Sequence, residues 1–349
     1  MPENKRAIVK THFAEASARA FRSPSTPSSA VSSRSSSSSG SPVSKMSRLL
    51  VLLLAATRSL AGSKHDRVND GAKRQRARPI TFLHITKVAG VSTTREFRAR
   101  SYKNVSVPGE PCFADVYDPA RRHVVLLRSP RAHVFSQYLE CRFDNWGRKA
   151  TKDSPDFPRG GRVTADFERW LDHFLDLERL GRRGVFNCLC PWNLQSRALT
   201  CTTAGQGRGA QLPQRPGNIA DLRPSASAAT AALDRVDALG LVDLYPETWC
   251  LIEAVTLERL PGQCDCNSTR STALHHERHH VPAHDPRTLP ASVLRKIDAL
   301  TAVDRQLYAR GARRFLDDVA ATERRFERAF LCAERRAEFE ADLAYVLRA

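Results

Sequence analysis

The stretch Ile80-Thr-Phe-Leu-His-Ile-Thr-Lys-Val-Ala-Gly-Val-Ser-Thr-Thr94 decides the fold class of this 349-residue chain. Its apolar first part, Ile80–Ile85, predicts a buried strand. A short loop of small residues with one lysine and one glycine follows, and residues 92–101 predict a helix. A buried strand that runs through a tight loop into a helix is typical of α/β folds.

The loop has the chemistry of an anion-binding site. Backbone N–H groups and the positive end of the helix dipole converge where a strand turns into a helix. Lys87 adds a mobile positive charge, and Ser92 and Thr93 can donate hydrogen bonds. In a Walker A loop the lysine follows the glycine-rich turn beside a magnesium-binding hydroxyl, whereas Lys87 precedes Gly90 here. This order argues against a nucleoside triphosphatase.

Strands and helices alternate along the rest of the chain. His123–Leu127 predicts a second core strand, and Pro130 stands where proline favours the start of a helix. The other predicted elements are helices Arg131–Phe143, Val163–Leu180 and Tyr245–Leu257, a short strand Leu239–Val242, a mostly helical Ala291–Leu347, and loops over 102–121, 203–226 and 261–288. This alternation predicts an α/β fold with a largely parallel sheet.

The net charge of +18 is concentrated before the predicted folded part. Residues 1–80 hold 15 of the 55 basic and four of the 37 acidic side chains, which leaves +7 for residues 81–349. With 41% hydrophobic residues the chain can fold around a core, which excludes a wholly disordered protein. The longest apolar runs fall short of 18 residues, which excludes a polytopic membrane protein.

Four segments are predicted along the chain. Residues 1–45 form a serine-rich, low-complexity tail that cannot build a core. Residues 46–62 contain the apolar run Leu49–Ala56 and resemble a signal peptide or a short signal-anchor, although this run is short for a bilayer span. Residues 63–78 form a basic stem, and residues 79–349 form the folded domain. Either translation starts at Met46, or residues 1–45 are a cytoplasmic tail or part of a bipartite targeting segment.

Nine cysteines, all from Cys112 onward, indicate a disulfide-bonded domain. The disulfide candidates are Cys188, Cys190, Cys201, Cys250, Cys264 and Cys266. The C-x-C pairs 188/190 and 264/266 cannot easily close on themselves, so each member is expected to bridge elsewhere. The odd count leaves a free thiol or an intermolecular bridge, and the sequence does not give the pairing. Sequons at Asn104 and Asn267 fit a secretory route.

The anion-binding loop resembles the 5′-phosphosulfate loop of the membrane-bound Golgi carbohydrate sulfotransferases, the heparan-sulfate-type family, which reads approximately F-L-H-I-P-K-T-G-G-T-S. The matching residues are Phe82, Leu83, His84, Ile85, Lys87, Gly90 and Ser92. Thr86 replaces the proline, Val88 a threonine, Ala89 a glycine, and Val91 a threonine that contacts phosphate in the family. Because valine cannot donate a hydrogen bond, Ser92 or Thr93 would have to replace that contact.

A second motif resembles the 3′-phosphate motif of the same family, L-L-R-D-P after a core strand with a serine eight residues beyond the arginine. This chain has Leu126-Leu-Arg-Ser-Pro130, with Ser129 in place of the aspartate, and Ser136 eight residues after Arg128. Weaker similarities lie in Pro191–Leu199, Gly240–Leu251 and Asp304–Tyr308. Together with the two motifs, these similarities extend the resemblance over about residues 79–316, the part of the chain where it is strongest.

The resemblance implies a P-loop-like three-layer α/β fold with a central, mostly parallel sheet flanked by helices. It implies a sulfotransferase that moves a sulfuryl group from 3′-phosphoadenosine 5′-phosphosulfate to a hydroxyl of a glycan acceptor by in-line displacement, without a metal. The expected donor-binding residues are Lys87, Val88, Ala89, Gly90, Val91, Ser92, Thr93, Arg128 and Ser136. Lys87 is also expected to stabilise the charge on the leaving oxygen. The expected location is the Golgi membrane, held by the N-terminal signal-anchor, with the catalytic domain in the lumen.

The general base of this reaction is left open by the sequence. Glu110 and Asp115 lie between the two motifs, and His84 and Glu96 flank the donor loop. His84 belongs to the shared motif and would alternatively only pack or orient the loop. For each candidate the simpler interpretation is a solvated charge without a catalytic role.

Three other features have two interpretations each. The cluster His275-His-Glu-Arg-His-His280, with His284 nearby, lacks regular ligand spacing, which favours a solvated loop over a metal site. Trp146 in Asp144–Gly147 suits either stacking on an acceptor sugar or packing at a helix end. The alternating Arg and Glu residues of Glu323–Arg348 predict an exposed, salt-bridged helix face.

Two competing functions are set against the sulfotransferase. One is a relative of the same fold that binds nucleotide or glycan without transfer, because Val88 and Val91 remove donor contacts. The other is a nucleic-acid-binding protein, which the basic composition favours but which needs a basic, aromatic-interleaved face in the folded part. That pattern is weak here, so nucleic acid is not expected as a partner. The acceptor sugar and the oligomeric state are not encoded in a readable way.

Overall fold

A computed structural model describes residues 78–180, 186, 188–201, 224–266, 274 and 281–348. The predicted tail, the targeting segment and all of the stem except Arg78 lie outside the described residues. So do the histidines of 275–280 and the sequon at Asn267.

The central sheet has four parallel strands in the order β2-β1-β3-β4. The strands are β1 Ile80–Leu83, β2 Val105–Ser106, β3 Arg122–Leu127 and β4 Ala238–Leu241. Ile80 of β1 pairs with Arg122 of β3 and with Val105 of β2. All four residues of β1 and of β4 are buried, as expected for parallel strands that are covered on both faces. The predicted α/β fold with a central parallel sheet flanked by helices is confirmed.

In the described residues the α-helices are α1 Gly90–Ala99, α2 Phe113–Val116, α3 Pro130–Phe143, α4 Asn145–Ala150, α5 Val163–Leu180, α6 Leu194–Thr200, α7 Ala226–Asp234, α8 Tyr245–Leu257, α9 Ala291–Leu300, α10 Ala302–Phe326 and α11 Ala333–Leu347. Short 3₁₀ turns cover Val242–Leu244 and Pro286–Thr288. In the part of the chain that the structure describes, no helix is long and apolar enough to cross a membrane.

The strongly periodic elements match their predicted bounds, and the weak ones do not. Helices α5 and α8 have the predicted ends, and the other predicted strands and helices agree within a few residues. The loop predicted over 102–121 contains the two-residue β2 and the single turn α2, which are too short to leave a periodic pattern. The stretch Glu323–Arg348 is divided between two helices, because α10 ends at Phe326 and Glu327 takes a left-handed conformation with φ 50°. On α11, Arg335 and Glu338 form an ion pair at 3.3 Å, as expected for a salt-bridged helix face.

The buried hydrophobic residues form two cores. The larger core joins the sheet to α1, α8 and α10 through residues such as Phe97, Trp249 and Phe315. The second core joins α3, α5 and α9 around Trp170 and Phe174. Helix α3 begins three residues after the end of β3. One of its faces contacts the loop that follows β1.

Four disulfides and one free thiol account for all nine cysteines. The pairs are Cys112–Cys201, Cys141–Cys188, Cys250–Cys264 and Cys266–Cys332. The two members of the 264/266 pair bridge elsewhere, as predicted, but Cys190 is a buried free thiol. The expectation of a bridge at Cys190 is therefore wrong, and the odd cysteine is free within the chain.

Candidate active site

A cleft of about 400 Å³ opens at the carboxyl ends of β1, β3 and β4. Parallel sheets typically bind ligands at this edge, and sites for small molecules have volumes of roughly 300–1,000 Å³. The lining residues are His84, Thr86, Lys87, Ala89, Gly90, Val91, Ser92, Glu110, Arg128, Ser136, Glu140, Val242, Tyr245, Val281, Pro282, Ala283 and His284. Both sequence motifs therefore contribute to one cleft.

The loop between β1 and α1 has an unusual backbone. Lys87 has φ 62° and Ala89 has φ 54°, both in the left-handed region that residues with a β-carbon rarely adopt. No side chain caps the N-terminus of α1, and its first turn contains no acidic residue. Left-handed residues next to an uncapped helix start are typical of loops whose N–H groups surround an anion.

Gly90 is required by the close approach of His84. A β-carbon placed on Gly90 would lie 1.6 Å from the imidazole Cδ2 of His84. His84 itself lines the cleft, and its ring stacks on Phe82 with centroids 6.3 Å apart. Because Gly90 has no side chain, the ring of His84 can lie against the first residue of α1.

Lys87 and Glu140 form an ion pair in the cleft. The ammonium Nζ of Lys87 lies 2.5 Å from Oε2 of Glu140, and the two side chains are only 13% and 12% exposed. Glu140 belongs to α3 and is separated from Lys87 by 53 residues. The pair therefore joins the loop after β1 to the helix after β3.

Glu110 is the second carboxylate of the cleft. Burial raises the pKa of its carboxyl above the ordinary glutamate value, and the nearby charge of Glu140 raises it further. A hydrogen bond with the Thr86 hydroxyl and the charge of Lys87 oppose this shift. A raised pKa gives the carboxylate a stronger affinity for a proton, which suits a general base.

Arg128 directs its guanidinium along the floor of the cleft. Nη1 donates to the backbone carbonyl of Lys87 at 3.2 Å, and Nη2 lies 3.4 Å from Nε2 of His284. Neither of these contacts of Arg128 is an ion pair. Burial lowers the pKa of Arg128, which the charge of Asp243 opposes. An arginine stays protonated in proteins, so the cleft holds a cation that can receive an anionic ligand.

Helix α3 presents one face to the loop after β1. Ser136 and Glu140 lie one turn apart and both line the cleft. His133 lies one turn before them, and its Nε2 donates to the backbone carbonyl of Thr86 at 2.8 Å. Burial lowers the pKa of His133 to about 3, so the imidazole is neutral and acts as a fixed donor. This bond holds the loop against the helix.

The backbone at Arg128 is held by a glutamine. The Gln195 side chain accepts from the N–H of Arg128 and donates to its carbonyl, both at 2.9 Å. The carboxylate of Asp304 accepts from the N–H groups of Gln195 and Ser196 at 3.2 and 2.7 Å. Two of the weakly similar stretches of sequence therefore meet behind Arg128.

The third weakly similar stretch supports the neighbouring residue. Oδ2 of Asp243 accepts from the N–H of Ser129 at 3.1 Å and from the Tyr308 hydroxyl at 2.9 Å. Tyr245, two residues further on, lines the cleft, and its hydroxyl lies 3.4 Å from that of Thr93. These stretches support the cleft from behind, and only Val242 and Tyr245 of their described residues line it.

The structure brings most of the expected site residues together. Those that line the cleft are His84, Lys87, Ala89, Gly90, Val91, Ser92, Glu110, Arg128 and Ser136. Val88 is 1% exposed in the core, and Thr93 is buried beside Tyr245. Asp115 is exposed on α2 and is not among the lining residues. Glu96 forms an ion pair with Arg100 on α1 at 3.0 Å.

Sequence reasoning missed three polar groups of the cleft. Glu140 lies four residues after Ser136, so helical spacing places it on the same face, and that was the available signal. The sequence favours a solvated loop around His284, but its ring packs edge-on against Phe135 with centroids 5.3 Å apart, and burial lowers its pKa. Tyr245 had no signal beyond its place at the start of a helix. Trp146 does not line the cleft, and its side chain is 48% exposed on α4.

No model of a known protein family matches the chain, and no curated protein matches it at a significant level. The functional conclusion therefore depends on the motifs and on the geometry of the cleft.

Proposed function

We propose that the protein is a sulfotransferase that moves a sulfuryl group from 3′-phosphoadenosine 5′-phosphosulfate to a hydroxyl of a carbohydrate acceptor. The observation that carries the proposal is the convergence of the two motifs: Lys87 of the first and Arg128 of the second line the same cleft, with their residues joined by a hydrogen bond. Two motifs that resemble two phosphate sites of one ligand have to meet if that ligand is bound.

The cleft offers a donor set that fits an anionic nucleotide. The 5′-phosphosulfate would lie on the loop after β1, against Lys87 and the start of α1. The 3′-phosphate would lie against Arg128 and Ser136. Val91 lines the cleft without a polar group, and the adjacent Ser92 supplies the hydroxyl on that wall, since Thr93 is turned towards Tyr245. Ser92 would therefore replace the missing threonine contact.

The chemistry needs a cation at the leaving group and a base at the acceptor. The acceptor oxygen bonds to sulfur while the bond from sulfur to the phosphate oxygen breaks, which leaves adenosine 3′,5′-bisphosphate. Negative charge grows on that phosphate oxygen, and the ammonium of Lys87 stabilises it. The proton of the acceptor hydroxyl passes to Glu110, whose raised pKa favours this role.

The disulfide bonds of the domain support the lumenal location. Four disulfides are typical of proteins that fold in an oxidising compartment. The Golgi membrane, the N-terminal signal-anchor and the glycan acceptor follow from the resemblance and are part of the proposal.

Two measurements test the proposal in order. Adenosine 3′,5′-bisphosphate binding by calorimetry tests the donor site. Transfer of radiolabelled sulfate from the donor to a panel of glycans tests the reaction, with Lys87→Ala as the inactive variant and Lys296→Ala as the matched control. Lys296 of α9 pairs with Glu168 and Asp172 of α5 and does not line the cleft. Loss of one such electrostatic contact lowers kcat by about 10²–10³-fold, and Lys296→Ala is expected to be fully active.

A nucleotide-binding protein without transfer is the second candidate. Val91 favours it, because a valine in the wall of the cleft donates no hydrogen bond to the donor. Tight binding of the bisphosphate with no transfer to any acceptor would support this candidate against the enzyme. Failure to bind the bisphosphate would exclude both.

A further inference from the structure

Glu140 forms an ion pair with Lys87 and so neutralises the positive charge that is proposed to bind the phosphosulfate of the donor. Both side chains are largely shielded from water, and a shielded pair is stronger than a surface pair because solvent and salt screen it less. The contact is a direct one, at 2.5 Å between Nζ and Oε2. The resemblance to the sulfotransferase motifs does not include Glu140.

The surroundings make Glu140 the natural counter-ion of Lys87. Glu110 is the other carboxylate of the cleft and interacts with both members of the pair. Arg128 contacts a carbonyl and the imidazole of His284, and His133 bonds to Thr86. The hydrogen-bond partners of Arg128 are therefore neutral, with the charge of Asp243 nearby, whereas Lys87 directly contacts a carboxylate.

We propose that Glu140 is a positioning residue that holds Lys87 in the nucleotide-free cleft and competes with the donor for it. The inference rests on the proposed function, from which it takes the role of Lys87. When the phosphosulfate binds, the ammonium leaves Glu140 or is shared with it. The carboxylate of Glu140 then remains close to Glu110, which disfavours the bound state.

This competition has a use in the reaction. Lys87 stabilises the leaving oxygen whichever oxygen attacks sulfur, including that of water. Attack by water forms a new sulfur–oxygen bond, breaks the bond to phosphate, and yields sulfate and adenosine 3′,5′-bisphosphate, while the two protons of the water pass to solvent or to the leaving phosphate. A glutamate that withdraws Lys87 from the donor slows this loss of donor while the acceptor is absent.

The test compares Glu140→Gln with the wild-type protein. Glu140→Gln removes the charge and keeps the shape, so we expect about tenfold tighter binding of adenosine 3′,5′-bisphosphate, which corresponds to the loss of one shielded ion-pair competitor. We also expect a higher ratio of donor hydrolysis to sulfate transfer. Glu140→Asp keeps the charge and is expected to restore affinity towards the wild-type value. Glu168→Gln, the same change in a surface ion pair of α5, is expected to leave affinity and ratio unchanged.

A measurement on the nucleotide-free protein tests the contact between Glu140 and Lys87 independently of donor binding. The rate at which an amine-reactive acetylating reagent modifies Lys87, followed by mass spectrometry, is expected to rise in Glu140→Gln. Equal or weaker bisphosphate binding by a folded Glu140→Gln would overturn the inference and leave the donor site in place. Loss of transfer at unchanged affinity and unchanged hydrolysis ratio would overturn it in favour of a base role. Absence of binding in both proteins would overturn the proposed function itself, together with this inference.

Discussion

The guanidinium of Arg128 donates a hydrogen bond to the backbone carbonyl of Lys87 across 41 residues of sequence. This bond joins the end of β3 to the loop after β1, and the two strands are neighbours in the sheet. The two cations that are expected to bind the two phosphate groups of one nucleotide are thereby held in a defined relation.

Arg128→Ala is expected to remove the selectivity for the 3′-phosphate. An arginine that binds phosphate contributes about 1.5–3 kcal/mol through charge-assisted hydrogen bonds, so affinity for adenosine 3′,5′-bisphosphate should fall tenfold to about a hundredfold. Affinity for adenosine 5′-monophosphate, which lacks the 3′-phosphate, should change little. Calorimetry with both nucleotides checks this.

Ser136→Ala is expected to weaken the selectivity for the 3′-phosphate less than Arg128→Ala does. The serine lies two turns into α3 and lines the same cleft, and its removal deletes one neutral donor. Its loss should reduce the same selectivity by a smaller factor. An equal loss of affinity for both nucleotides in Arg128→Ala would show that the arginine supports the loop only.

Glu110→Gln is expected to lower kcat by about 10²–10⁴-fold without a comparable change in bisphosphate affinity. As a base, Glu110 is active in its deprotonated form, so kcat/KM rises with pH through its pKa. Because burial raises that pKa, the acid limb of the wild-type profile should lie above about pH 4.3, the ordinary value for glutamate. The measurement is the pH dependence of sulfate transfer, and the limb should be absent in the variant.

Asp115→Asn is the matched control for Glu110. Asp115 lies on the same segment between the motifs but is exposed on α2. We expect normal kcat and a normal pH profile in this variant. If Asp115→Asn loses activity and Glu110→Gln retains it, the base is Asp115 and the assignment made from the cleft is wrong.

Ala89→Gly is expected to stabilise the protein by ~1 kcal/mol. A residue with a β-carbon costs about 1–2 kcal/mol in the left-handed conformation that Ala89 adopts, and glycine returns part of that gain as lost backbone entropy. Urea unfolding of the purified domain measures the difference. A loss of stability would show that the alanine methyl packs in a way that outweighs the strain.

The neighbouring exchange Gly90→Ala should have the opposite sign. Its β-carbon would clash with His84, and overpacking of this kind costs typically about 1–3 kcal/mol. The control is Gly160→Ala, because no atom lies within 4 Å of a β-carbon built there. Unfolding curves in urea should separate the two alanine variants clearly.

Removal of the disulfide Cys112–Cys201 should destabilise the domain by about 2–5 kcal/mol. This bridge ties the segment that contains Glu110 to the end of α6, so the double variant Cys112→Ser/Cys201→Ser should lose transfer as well. Cys190→Ala serves as the control. Alkylation of the denatured, unreduced protein should modify Cys190 and leave the eight paired cysteines unmodified, which peptide mapping detects.

Much of the fold could be predicted because the core elements are periodic or continuously apolar. His123–Leu127 is apolar enough to be recognised as a buried strand, and Val163–Leu180 has its large residues at helical spacing. The two-residue β2 and the one-turn α2 could not be recognised, since such short segments leave no period. Their positions depend on pairing with β1 and on the Cys112–Cys201 bridge.

The candidate site also contains residues that the sequence predicts and residues that only the structure places there. The chemistry of Lys87, Gly90, Arg128 and Ser136 is readable in the sequence, because a strand followed by a tight turn and a helix defines where their backbone lies. The roles of the three other polar groups of the cleft depend on residues far away in the chain. Glu140 becomes a partner of Lys87 only when β1 and β3 lie side by side, and His284 reaches Arg128 across 156 residues.

The sequence by itself determined the class of fold, and it located the loop that is proposed to bind an anion and the cations expected to surround it. Only the tertiary structure decided which carboxylates face those cations, which cysteine is left free, and that Ser92 rather than Thr93 faces the cleft. The physical reason is that hydrophobic periodicity and turn chemistry act over a few residues, whereas the partner of a charge or a thiol is set by the packing of strands and helices that are distant in the chain.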